Sequence, residues 1–120
     1  MMKDFTRDYV TEMFKVWALN QKHTLNTKKT KGLAADIAAV DKTFEELEKA
    51  EKGYIVKAVK EVYCYLPEFP IVRNDVTLRA RRFSLGVPCS EKQVYEWLKE
   101  ARRMCAANRG LRTSEVQRGE

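Results

Sequence analysis

The fold prediction starts from residues 78–103, LRARRFSLGVPCSEKQVYEWLKEARR, which combine a helix stop with the clearest helix start in the chain. Gly86 ends the first helix, since glycine is free to take the left-handed conformation found at helix C-termini. The segment 90–93, SEKQ, matches a capping box, in which Ser90 accepts a hydrogen bond from the Gln93 amide and the Gln93 side chain reaches back. The stretch therefore predicts two consecutive helices joined by a short turn.

Apolar residues at helical spacing define the buried faces of these two helices. The first begins near Asn74 or Asp75, either of which can cap it, and places Val76, Ala80 and Phe83 on one face. The second extends to about Asn108, and Gly110 suits its end. Its predicted buried stripe is Val94, Trp97, Leu98, Ala101, Met104 and Cys105.

A helix, a glycine turn and a capped second helix form the pattern of a helix-turn-helix. In that motif the second helix enters the major groove of DNA, while the first crosses the phosphate backbone. Polar residues outside the buried stripe are therefore candidate base contacts, and the arginines are candidate phosphate contacts. The candidate base contacts are Lys92, Gln93, Tyr95, Glu96 and Lys99. The candidate phosphate contacts are Arg79, Arg81, Arg82, Arg102 and Arg103.

The alternative is an ordinary helical hairpin with a basic face. Pro88 and Cys89 also predict a turn wider than the tightest form of the motif, with Cys89 as a packing or capping residue. The distribution of charge favours DNA binding: residues 1–72 hold 12 Lys and Arg against 11 Asp and Glu, whereas residues 73–112 hold 10 against 4. A basic region inside a folded segment is expected of a protein that binds phosphate backbones.

The rest of the chain predicts three further helices, so we expect an all-α fold of about five helices. Gly53 marks the boundary between the second and third, and Pro67 and Pro70 stop the third. The apolar stripes are Phe5, Tyr9, Val10, Met13, Phe14 and Trp17 in the first helix; Leu33, Ile37, Val40, Phe44 and Leu47 in the second; and Tyr54 or Ile55, Ala58 or Val59, Val62 and Leu66 in the third.

Three regions follow from this pattern. Residues 1–72 form an N-terminal helical part with a Lys-rich loop at 22–32, which is a solvated linker or an arm that grips phosphate. Residues 73–112 form the helix-turn-helix, and residues 113–120 form a polar tail that we expect to be disordered. The first helix of the N-terminal part is expected from Thr6 to Asn20.

Other classes of protein find little support in the residues. The only histidine, His23, lies far along the chain from Cys64, Cys89 and Cys105, so we expect no metal site and no cofactor. Neither a phosphate-binding loop nor a nucleophile elbow occurs, so we expect no enzyme. No apolar run approaches the length of a membrane span, and the first residues do not resemble a signal peptide. We therefore expect a cytoplasmic protein that does not interact with membranes.

Two passages carry a resemblance to a known family: EKGYIVKAVKEVYCYLP at residues 51–67 and FSLGVPCSEKQVYEWLKEARRMCAANRGL at residues 83–111. They resemble the C-terminal half of phage late-gene transcription regulators of the RinA and ArpU type, which is similar to the promoter-binding last region of sigma factors. The family motif of a Ser cap, an aliphatic residue, Tyr and Trp falls on Ser90, Val94, Tyr95 and Trp97. The resemblance implies late-gene activation and recognition residues at Lys92, Gln93, Tyr95 and Glu96.

These observations favour a transcription regulator of phage or prophage origin that binds double-stranded DNA in a bacterial host cell, with RNA polymerase as a further partner. One alternative is a phage antitermination factor that contacts the polymerase. Another is a DNA-packaging adaptor of the small-terminase kind, in which the N-terminal helices would form a homo-oligomer. A module that binds only other proteins would show no salt-dependent affinity for DNA.

Overall fold

In the computed structural model, the described residues are 5–23, 31–65, 73–87 and 89–111, and all regular structure among them is helical. The helices are α1 (Phe5–Lys22), α2 (Lys31–Lys49), α3 (Gly53–Tyr63), α4 (Arg73–Gly86) and α5 (Glu91–Arg109). The prediction of an all-α fold with about five helices is confirmed.

Apolar stripes from all five helices meet in one core. Phe14 of α1 lies at its centre, with its ring stacked on Phe44 of α2 at 5.9 Å and on Tyr63 of α3 at 5.8 Å between centroids. Leu47 and Val59 belong to the same core and are fully buried. Removal of apolar side chains from water is the main force that holds such helices together. The helical spacing of these stripes therefore identified most of the core correctly.

Helix α5 contacts all four other helices, whereas α4, among the described helices, contacts α3 and α5 alone. Hydrogen bonds and an ion pair fix the C-terminal end of α5 to the N-terminal helices α1 and α2. Arg109 Nε donates to Asp36 Oδ1 at 2.7 Å, and the Tyr9 hydroxyl donates to the same oxygen at 3.0 Å. Asn108 Nδ2 donates to the hydroxyl of the buried Thr43 at 2.9 Å. The orientation of α5 is thus set far from its N-terminal end.

Some predicted boundaries and burial assignments were wrong. Helix α4 begins at Arg73, so Asn74 and Asp75 lie in its first turn and do not cap it. Gly86 is the last residue of α4, as predicted, but its φ is not in the left-handed region. Trp97 and Met104 pack against the core but are only half-buried, because they lie at the edge of the stripe.

The predicted Lys-rich loop is shorter than residues 22–32. Lys22 ends α1 and Lys31 begins α2, since both helices extend further toward each other than their apolar spacing indicated. Residues 24–30 lie outside the described part of the chain, as do Leu66, Pro67, Pro70 and the predicted tail at 113–120.

In the described part of the chain, two helices end in left-handed residues, of which one is a glycine and the other is not. Gly110 ends α5 with φ 85°, and the next amide, of Leu111, donates to the Ala106 carbonyl at 2.9 Å. Glu51 follows α2 with φ 61°, and the Lys52 amide donates to the Leu47 carbonyl at 2.8 Å. Both ends have the hydrogen-bond pattern of the Schellman motif. Glu51 bears a Cβ atom in a conformation that disfavours one.

We predict opposite effects on stability for exchanges at these two positions. Gly110→Ala should lower the free energy of unfolding by about 1 kcal/mol, because the added Cβ makes no contact within 4 Å and only backbone strain changes. Glu51→Gly should raise the free energy of unfolding by up to about 1 kcal/mol. Urea unfolding of both variants measures this, and equal losses at the two sites would contradict the assigned backbone conformations.

Candidate nucleic-acid interface

Helix α5 begins with the capping box that its sequence predicts. Ser90 has an extended backbone, and its hydroxyl accepts from the Gln93 amide at 3.1 Å. The Ser90 amide in turn donates to Gln93 Oε1 at 2.9 Å. Both bonds satisfy groups that a helix start otherwise leaves without partners. The residues that follow are therefore held in a well-defined first turn.

The two sides of α5 differ sharply in burial. Val94, Leu98, Ala101 and Cys105 are fully buried on the side that faces the core. On the opposite side, residues at helical spacings of three and four are exposed, and they form no hydrogen bond or ion pair with any described residue. We call this set the outer face of α5; its members are Lys92, Glu96, Lys99 and Arg103.

Four of the candidate base contacts lie on or beside the outer face. Lys92, Glu96 and Lys99 belong to it, and Tyr95 lies at its edge with 36% of its surface exposed. Gln93 is exposed too, but its side-chain oxygen is used in the capping box. Gln93 can contact a base through its amide nitrogen, or through its oxygen if the box opens. Direct contact of these residues with DNA stays a prediction.

Two of the five candidate phosphate contacts are partly buried and form hydrogen bonds with α3. Arg79 Nη1 donates to the Val62 carbonyl at 3.1 Å, and its guanidinium lies 5.2 Å from the centre of the Tyr65 ring. Arg102 Nη1 donates to the Tyr63 hydroxyl at 2.7 Å. Both side chains fix α4 or α5 to α3. The charge run in the sequence gives no sign of this, because the bonds join residues 17 and 39 positions apart.

The other three candidate phosphate contacts are exposed. Arg82 and Arg103 form no hydrogen bond or ion pair with any described residue. Arg81 pairs with Glu91 across the turn, with 3.3 Å between Nε and Oε1. Arg82 shares its side of α4 with Leu78 and Leu85, which are 59% and 84% exposed. Exposed leucine side chains gain nothing from contact with charged phosphate groups. This side of α4 is therefore not purely a surface for the DNA backbone.

Aromatic contacts join the helices behind the outer face. The Trp97 ring of α5 packs edge-to-face with Tyr54 of α3, with 4.8 Å between ring centroids, and with Phe83 of α4, with 6.5 Å between centroids. Lys52 Nζ, directly before α3, donates to Glu100 Oε2 of α5 at 2.9 Å. Offset and edge-on aromatic pairs stabilise such junctions beyond the area they bury. Helices α3, α4 and α5 are therefore one packed unit beneath the candidate interface.

Cys105 lies on the buried side of α5, and the Cys64 thiol donates to the Phe14 carbonyl at 3.5 Å. Burial raises the pKa of Cys64 to about 12 and that of Cys105 to about 11, so both thiols stay protonated at neutral pH. Cys89 is half-buried against the core directly before the capping box, as expected of a packing residue. Among the described residues, no group of three or more His, Cys, Asp or Glu side chains is arranged to hold a metal ion.

Comparisons with protein-family models, curated proteins and solved structures found no match to this chain. Within the described part of the chain, every helix is too short or too polar to cross a membrane.

We predict that loss of the capping box destabilises α5 by a measurable amount. Ser90→Ala should lower the free energy of unfolding by about 1 kcal/mol, because the Gln93 amide loses its acceptor. Ser90→Asp should keep most of that stability, since aspartate also caps helices well. Urea unfolding compares the two variants. Equal stability of the Ala variant and the native chain would contradict a role for the box.

Proposed function

We propose that this protein binds double-stranded DNA in a sequence-specific manner and regulates transcription. The observation that carries the proposal is the outer face of α5, a row of exposed polar side chains that pair with no described residue, on a helix whose opposite side is buried. Lysine can bind guanine, and glutamate can accept from the cytosine amine, in the major groove. Because α5 is fixed to the core on one side, its backbone does not have to become ordered when the other side binds DNA, so the entropic cost of binding is low.

The arginines around this face support the same proposal. Arg81 and Arg82 lie on α4, the helix that crosses the backbone in a helix-turn-helix, and Arg103 lies on the outer face of α5. The connection between α4 and α5 consists of residues 87–90, a length compatible with the motif. The basic excess of residues 73–112 would attract DNA from a distance.

The resemblance to phage late-gene regulators makes the proposal more specific. It favours a protein of phage or prophage origin that acts on late promoters in the bacterial cytoplasm, with RNA polymerase as a second partner. The half of the chain that carries the resemblance includes α3, α4 and α5. The motif residues Ser90, Val94 and Trp97 act in the structure as a cap, a core residue and a helix junction, so they hold α5 in place.

The proposal predicts that affinity for a scrambled duplex falls steeply with salt. Arg79 and Arg102 form hydrogen bonds within the protein, so we expect about three to five phosphate contacts and a slope of log K against log salt of about −2.7 to −4.5. Arg103→Ala should reduce the steepness by about 0.9, whereas Lys49→Ala on α2 should not change it. Fluorescence anisotropy over a salt series gives the slope. A slope near zero for the native chain would contradict DNA binding.

Base recognition predicts a different pattern for Lys92, which has no role in the capping box. Lys92→Ala should weaken binding to a selected cognate duplex by about 1 to 3 kcal/mol and binding to a scrambled duplex much less. Arg103→Ala should weaken both complexes about equally, as loss of a phosphate contact does. The measurement is a titration of each variant against both duplexes at one salt concentration. If Lys92→Ala lowered the affinity for the cognate and the scrambled duplex equally, Lys92 would contact phosphate only.

A further inference from the structure

Glu91, the first residue of α5, links the two helices of the candidate interface through its ion pair with Arg81. Nε of Arg81 lies 3.3 Å from Oε1 of Glu91, and the two side chains are 60% and 36% exposed. Water and other anions therefore reach the pair. Exposed ion pairs of this kind contribute little to stability and exchange partners readily. The pair is a contact that another anion can displace.

A DNA phosphate is such an anion. Guanidinium groups bind phosphate and carboxylate with the same N–H donors, in the same forked geometry. The Nε–H of Arg81 therefore donates either to Glu91 or to a DNA phosphate, but not to both at once. Arg82, the next residue, carries the same charge but has no partner among the described residues. The two neighbouring arginines differ in this respect, and they provide an internal comparison.

We propose that Glu91 restrains DNA binding by competing with phosphate for Arg81. Glu91 thereby sets how much Arg81 contributes to affinity, whereas Arg82 contributes fully. This inference rests on the proposed DNA-binding function. An acidic residue in the first turn of α5 already has one role, because it stabilises the helix dipole. Competition for Arg81 is a second role, which this position alone does not imply.

The test is a double-mutant cycle on DNA affinity. Arg81→Ala should weaken binding of the otherwise native chain less than about twofold, and should weaken binding of the Glu91→Gln variant about five- to tenfold. Glu91→Gln alone should strengthen binding and steepen the salt slope by about 0.9, the effect of one additional phosphate contact. The probe is a fluorescently labelled duplex of scrambled sequence, and anisotropy is measured over a salt series.

Glu96→Gln is the matched control, since it removes another carboxylate from α5 that pairs with no described residue. Removal of a carboxylate near DNA changes affinity through long-range electrostatics and, at Glu96, through the loss of a base contact, but this change should be the same with and without Arg81→Ala. A second control combines Glu91→Gln with Arg82→Ala, where we also expect no coupling. Thermal melting of each variant checks that differences in affinity are not differences in folding.

The outcomes separate this inference from the proposed function. Coupling between Glu91 and Arg81, and none in the two controls, would support it. An Arg81→Ala effect of the same size in both backgrounds would overturn it while the native chain still binds DNA with the expected salt dependence. A native chain without salt-dependent affinity for the duplex would overturn the proposed function, and this inference with it.

Discussion

The burial of one side of α5 is the constraint on which the rest of the structure depends. Val94, Leu98, Ala101 and Cys105 fill the space where the other helices meet, and each of those helices contacts α5. The same helix carries the polar outer face. Any rotation of α5 that moved its outer face would expose these apolar side chains to water, at a cost of about 25 cal/mol for each Å². The core therefore fixes the direction in which Lys92 and Lys99 point.

The polar contacts divide five arginines of the C-terminal region into two groups. Arg79, Arg102 and Arg109 are bonded to α3 or α2 and hold the helices together. Arg82 and Arg103 are exposed and unpaired among the described residues. Net charge and spacing treat all of these arginines alike. Their different roles emerge only from the packing, and this division leaves Arg82 and Arg103 as exposed candidates for the phosphate contacts that we propose.

Sequence patterns predicted the helices of this fold well because most of the information is local. The apolar stripes predicted most of the core positions, although Tyr9 is exposed and Trp97 and Met104 are only half-buried. The capping box at residues 90–93 predicted the start of α5 to the residue. Patterns failed where a feature depends on distant residues or backbone strain. Glu51 takes a conformation usually left to glycine, Arg102 is held by Tyr63, and the Arg81 partner Glu91 lies across a turn. No periodic rule predicts such contacts.

The central claim is that the outer face of α5 contacts duplex DNA, and lysine acetylation followed by mass spectrometry tests it most directly. Lys92 and Lys99 are exposed on this face, while Lys49 and Lys57 are exposed on α2 and α3. The account predicts that a saturating amount of duplex DNA slows acetylation of Lys92 and Lys99 and leaves Lys49 and Lys57 as reactive as before. Unchanged reactivity of Lys92 and Lys99 in the presence of bound DNA would contradict it.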